Sequence, residues 1–239
     1  MTGLKENLER LEAAIDAACR AAGRPRAEIE LMAVSKTYPA ATMIEATALG
    51  LTLFGENRVQ EFALKAPALG EKRGIMQCHL IGHLQSNKAQ RAVELFDGID
   101  SVDSVRLAER LNEAAGKQGK RLPILIEVKL STEETKAGLD PESAEAAQLL
   151  ERLPDLKNLH TRGLMTIAPW GVAEAETRAC FSALRQWRDK WAAMHTGLSL
   201  DTLSMGMSGD FALAIAEGAT RIRVGTALFG KRGPYTGPA

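Results

Sequence analysis

The chain has 239 residues, 45% of them hydrophobic and 25% charged, enough to bury the core of one large domain. Its 30 basic and 30 acidic side chains cancel, so no overall field recruits nucleic acid, and no stretch is long and apolar enough to cross a bilayer. Three cysteines in no CxxC pair argue against a disulfide framework or a zinc cluster, and the charged amphipathic start lacks an apolar leader, which together predict a cytoplasmic protein.

Leu4, Leu8, Leu11, Ile15 and Ala18 recur at spacings of three and four, which predicts an amphipathic helix over residues 1–23. Short apolar runs then alternate with helical patterns. EIELMAVSKT, LTLFGEN, QCHLIG, GIDSVDS, PILIEVKLS, LHTRGLMTIAP, DTLSMG and TRIRVGT read as strands, and the segments between them, from PAATMIEATALG to GDFALAIAEG, as helices. Each crossover helix returns the chain to the same edge, so the strands pair in parallel, and eight such units close a (β/α)8 TIM barrel of roughly 250 residues. An open doubly wound sheet is the alternative, but no GxGxxG follows the first strand. No linker or longer repeat divides the chain, so residues 1–239 are expected to form one domain, with 233–239 as a loose tail.

In such a barrel the chemistry lies at the carboxyl ends of the strands. Strand 1 runs to Lys36, strand 2 to Glu56, Asn57 and Arg58, strand 3 to His83, strand 7 to Ser208, and strand 8 carries Arg223 and ends in Gly225 and Thr226. Met32, Val34 and Lys36 share a face; if it points inward, the lysine amine enters the mouth from an apolar wall, where a neutral amine attacks aldehydes. A lysine that snorkels to solvent is the plainer reading of that residue alone. Glycines and hydroxyl residues after strands 7 and 8 are what a phosphate monoester needs, although Gly206, Gly209 and Gly225 also suit ordinary turns. Strand 1 adjoins strand 8 in a closed barrel, so an amine would face an anion cradle. Pyridoxal 5′-phosphate (PLP) spans both, with Arg223 donating to its pyridine nitrogen; a phosphosugar held as an imine spans them too but leaves the arginine less explained.

The blocks AVSKTYPAATMIEATALGLTLFGENRVQE, HLIGHLQSNK, STEETKAGL, RGLMTIAP and SMGMSGDFALAIAEGATRIRVGTALFG resemble the pyridoxal-phosphate homeostasis proteins, from strand 1 to strand 8. That resemblance implies a fold type III-like PLP barrel, similar to the N-terminal domain of alanine racemase, with an extra N-terminal helix and no second β domain. It implies that Lys36 forms a Schiff base with PLP, that Ser208 and the backbone of Gly225 and Thr226 hold the phosphate, that Arg223 faces the pyridine nitrogen, and that Asn57 and Met205 line the pocket. Cys78 and Lys129 depart from it, standing where an aromatic residue and an asparagine are common. The implied function is to buffer and deliver the cofactor to apo PLP-dependent enzymes, as a monomer and without turnover. A cationic partner at the pyridine nitrogen weakens the electron sink that carbanion chemistry requires, and the chain offers only Tyr38 and Tyr235 for the second base a racemase takes from another domain. A PLP enzyme of the racemase, decarboxylase or transaminase type is the alternative.

Three weaker signals remain. His79 and His83 are four apart, but in a strand that is not ligand spacing, so no metal is expected, and His83 at the strand end suits a hydrogen bond to the cofactor's surroundings, with Asn87 as an intermediary. Trp187 and Trp191 are expected to pack on the barrel; with Trp170 they equally suit a contact surface. Arg58, Lys129 and Lys136 read as a basic rim or as plain solvated charge.

Overall fold

In a computed structural model, which describes residues 3–130 and 137–230, eight parallel strands close into a barrel in chain order. They are β1 (Glu30–Val34), β2 (Leu53–Glu56), β3 (Gln77–Leu80), β4 (Gly98–Val102), β5 (Leu122–Glu127), β6 (Leu159–Met165), β7 (Thr202–Ser204) and β8 (Arg221–Val224). The strands read as nearly unbroken apolar runs because both faces are covered, one by the lumen and one by helices. Closure is explicit in the register: β8 pairs with β1 from Glu30–Arg221 to Ala33–Val224, which removes any free sheet edge.

Alternation sorts each strand into two cores. Leu31, Ala33, Phe54, Cys78, Leu80, Ile124, Ile126, Ile222 and Val224 point outward into the main cluster beneath the helices. Met32, Val34, Leu53, Ile81, Leu125 and Met165 form a separate small cluster inside the barrel. The outer layer is α2 (Ala40–Ala48), α3 (Val59–Lys65), α4 (Ala89–Leu95), α5 (Val105–Lys117), α6 (Ala144–Arg152), α7 (Glu174–Met194), α8 (Phe211–Ala216) and the short α9 (Thr226–Phe229). Ser104 and Ser143 cap α5 and α6 by accepting from Leu107 N and Ala146 N, so those starts are set by their own sequence.

The N-terminal helix α1 (Leu4–Ala21) buries Leu4, Leu11, Ile15 and Cys19 and keeps Leu8 and Ala18 partly covered. It packs against α8 and α9, and Asn7 Nδ2 donates to Leu228 O at 2.9 Å. Arg24, just beyond α1, donates to Ile215 O and Ala219 O at 2.9 and 2.6 Å. The helix thus braces, from behind, the elements that follow β7 and β8. The tail 233–239, Tyr235, Lys136 and most of STEETKAGL lie outside the described residues.

Candidate cofactor-binding site

β1 stops at Val34, so Lys36 lies in the turn beyond the strand rather than on it. Ser35 N still joins the sheet through Gly55 O at 3.0 Å, but its carbonyl turns to Lys65 Nζ, also at 3.0 Å, and Thr37 takes a positive φ of 69°. The result is an early end to the pairing, with Lys36 partly buried at the carboxyl-terminal rim. Met32 and Val34 point inward as the shared-face reading requires.

On β8, Ile222 and Val224 point outward, which turns Arg221 and Arg223 into the lumen. Arg223 lies beside Met32 in the register and is buried at 4% exposure. Its Nη1 donates to Ser204 O and Ser204 Oγ at 2.7 and 3.0 Å, and its Nη2 to Thr166 O at 2.9 Å, which ties the guanidinium to the ends of β6 and β7. Burial pulls its pKa below the usual arginine range, partly offset by the charges of Asp100, Glu127 and Asp210.

The loops after β7 and β8 meet. Ser208 Oγ accepts from Ala227 N at 3.4 Å, so the hydroxyl lies against the start of α9, next to Thr226. Gly206 has a φ of +92°, and a Cβ there would lie 2.5 Å from Ala214 Cβ, so only glycine lets the β7 loop turn this tightly onto α8. A Cβ on Gly225 would stand 3.2 Å from Val34 O, so the β8 loop lies against the end of β1, two residues before Lys36. Lys36, Gly225, Thr226 and Ser208 therefore gather at one seam of the mouth. Asn57 is partly buried just after β2. Met205 is fully buried and packs in the outer cluster, on the far side of the sheet from the lumen.

Several polar groups of this region escaped the sequence reading. Glu127 ends β5 on the inward face, two residues after Leu125; it is buried, and its Oε2 has no hydrogen-bond partner. Burial, helped by the Asp103 charge and opposed by Arg223, pushes its pKa up to about 7. The alternation Leu125–Glu127 was the available signal. Lower in the lumen, Asp100 accepts from Arg221 Nη1 at 3.0 Å and pairs with His79 Nδ1 at 2.8 Å. Burial would raise the Asp100 pKa, but His79 and Arg221 together hold it below the usual carboxylate range. His79 is thus paired inside the barrel, and His83 pairs with Asp103 Oδ2 at 3.2 Å. Trp191 is buried against the core with Trp187 beside it, ring centroids 5.7 Å apart, whereas Trp170 stands 88% exposed after β6. Cys78 is buried, and its thiol is pushed up to about 12, chiefly by burial, which leaves it inert.

The fold is a closed parallel barrel, and the family described as alanine racemase, N-terminal domain, matches residues 7–233. The chain belongs to the pyridoxal phosphate homeostasis proteins. It is 42% identical to the protein of that name from Pseudomonas aeruginosa over 239 residues, covering 100% of both chains. With the Escherichia coli K12 protein of that name it shares 40% identity over 235 residues, 97% of this chain and 98% of that one. Among solved structures it is similar to PipY of Synechococcus elongatus with PLP bound, at 44% identity and a TM-score of 0.82, covering 95% of this chain and 100% of that chain. An alanine racemase from Clostridium difficile, 15% identical with a TM-score of 0.76 over 99% of this chain and 58% of that one, shares the fold.

Proposed function

We propose that this protein binds pyridoxal 5′-phosphate at the carboxyl-terminal mouth of the barrel and serves intracellular PLP homeostasis by buffering and handing on the cofactor. The observation that carries the reading is the β8–β1 seam, where Gly225 packs on Val34 O and so brings the Ser208–Thr226 loops beside the Lys36 turn. The residues fit the group: Ser208 and the backbone of Gly225 and Thr226 hold the phosphate, Arg223 faces the ring nitrogen, and Asn57 closes a side, whereas Met205 packs outside the lumen. When bound, PLP would supply an aldehyde able to condense with the Lys36 amine with loss of water.

The role we assign is that of a carrier rather than a catalyst. A cation rather than a carboxylic acid next to the ring nitrogen leaves that nitrogen unprotonated and removes the electron sink. Tyr38, two residues after the lysine, has its hydroxyl committed to Gly230 O at 2.7 Å and so is not poised as a second base. Apo PLP-dependent enzymes are the receivers in this reading, and the carrier is a cytoplasmic monomer. Among the described residues no helix is long and apolar enough to cross a membrane.

An absorbance spectrum before and after borohydride, with peptide mapping of the reduced adduct, tests the site: a pyridoxyl group on Lys36 is expected, and one on another lysine overturns the assignment. Incubating loaded protein with amino acids in heavy water tests the carrier role. No α-proton exchange above the rate of free PLP is expected, and steady turnover would establish an enzyme instead.

A further inference from the structure

Beneath the Lys36 turn lies a buried charged cluster that the binding reading does not use. Lys65, the last residue of α3, is 6% exposed at its side chain, and its Nζ has three acceptors: Ser35 O at 3.0 Å, Glu56 Oε1 at 2.7 Å and Glu61 Oε1 at 3.3 Å. An ammonium group has three N–H donors, so the set is complete. Ser35 Oγ also donates to Glu56 Oε1 at 2.7 Å, and Thr37 N donates to Glu61 Oε1 at 2.5 Å. One lysine and two carboxylates therefore grip the residue before Lys36 by its carbonyl and hydroxyl, and the residue after it by its amide.

Such a cluster is costly as mere ballast. Glu56 is fully buried, its Oε2 has no hydrogen-bond partner, and burial pushes its pKa above the usual value despite Lys65 and Ser35. Thr37 is the one non-glycine with a positive φ among the described residues, a conformation that persists only where its surroundings impose it. Strain and buried charge converge on the two peptide units that aim the Lys36 side chain.

We propose that Lys65, acting through Glu56 and Glu61, is a positioning residue for Lys36: it holds the turn so that the amine points into the mouth. The proposal rests on the PLP-binding reading for its consequence but not for its geometry. A lysine bound to three acceptors also has no lone pair to offer an aldehyde, so the same clamp keeps Lys65 from competing with Lys36.

The test compares two ligands that share ring and phosphate but differ in the aldehyde: PLP, which needs the Lys36 amine, and pyridoxamine 5′-phosphate, which does not. Lys65→Met, which keeps length and loses charge, is expected to slow formation of the lysine-bound chromophore about tenfold or more while pyridoxamine 5′-phosphate binds within about twofold of wild type. Equal losses for both ligands would mean a merely structural role and overturn the proposal. Glu61→Gln, on a residue 12% exposed at its side chain, weakens the hold on the Thr37 amide and one of the three Lys65 contacts while leaving Ser35 O and Glu56 in place, and carries the test if Lys65→Met does not fold. Amide hydrogen exchange separates the two readings: faster exchange at Thr37 with β1 amides unchanged supports the clamp even if wild type takes up no PLP, whereas unchanged Thr37 exchange in both variants refutes it. A wild-type protein that binds neither ligand would sink the functional reading alone.

Discussion

Glu127 shows what one carboxyl in a barrel mouth does to the whole molecule. Its pKa lies at about 7 when folded, against an ordinary 4.5, so between those values the folded state holds the proton more tightly than the unfolded state. The sign follows: stability is highest below pH 4.5 as far as this group is concerned, declines as pH rises toward 7, and above 7 is lower by roughly 3 kcal/mol, the linkage equivalent of that shift. Glu127→Gln, which keeps shape and removes the titration, is expected to flatten the profile and to melt higher than wild type at pH 8, with little difference at pH 5. Thermal unfolding at the two pH values checks it, and a variant that tracks wild type at both disproves the assignment. The inward face of Arg223 was legible in the sequence because it stands on an apolar run that alternates, whereas Lys36, expected on such a face, lies in the turn beyond β1. Lys65 was not legible, because its partners Ser35 and Glu56 come from other elements and only folding makes it their neighbour.

Elements were easier to read than contacts. All eight strands appear where the apolar runs lie, since β-rich runs punctuated by helices leave few alternative pairings once closure is assumed. What the pattern did not show is where β1 ends: the run continues to Lys36 in sequence, but the strand halts at Val34 because Ser35 O bonds to Lys65 instead of to a neighbouring strand. Likewise the helix after β8 is a single turn of four residues, α9, too short for periodicity to set its bounds. Met205 was expected on the pocket wall, yet alternation from Ser204, whose side chain meets the inward Arg223, turns it outward. The β7 and β8 loops act together through Ser208. Ser208→Ala removes both its tie to Ala227 N and one donor to the proposed phosphate, so PLP affinity is expected to fall about tenfold, the scale of one hydrogen bond to a charged group. Because the hydroxyl is only partly buried, the melting temperature should hardly move; titration and calorimetry on one sample measure both.

At the scale of the molecule, the lumen is layered rather than uniformly apolar. Glu30, Arg221, Asp100 and His79 form a polar chain at one level, with Arg221 Nε on Glu30 Oε2 at 2.7 Å, while Met32, Val34 and Leu125 lie in the apolar cluster. Replacing Asp100 by Asn leaves Arg221 with only the half-exposed Glu30 for charge, and buried pairs broken on one side cost about 3–5 kcal/mol. Asp100→Asn is therefore expected to lower the urea midpoint sharply with an unchanged m-value. The depressed Asp100 pKa also gives acid sensitivity of the opposite sign to Glu127: its contribution is full above the ordinary aspartate range and is lost as pH falls through the folded value. A midpoint in Asp100→Asn equal to that of wild type would contradict this account.

The join between β8 and β1 reaches into the life of the chain before it is folded. Lys36 is translated well before Thr226, so on the proposed binding reading a nascent chain that has not yet made β8 owns half a vitamin site at most. Capture of the ligand would on that reading certify that the cylinder has been completed, and would lace β1 to β8.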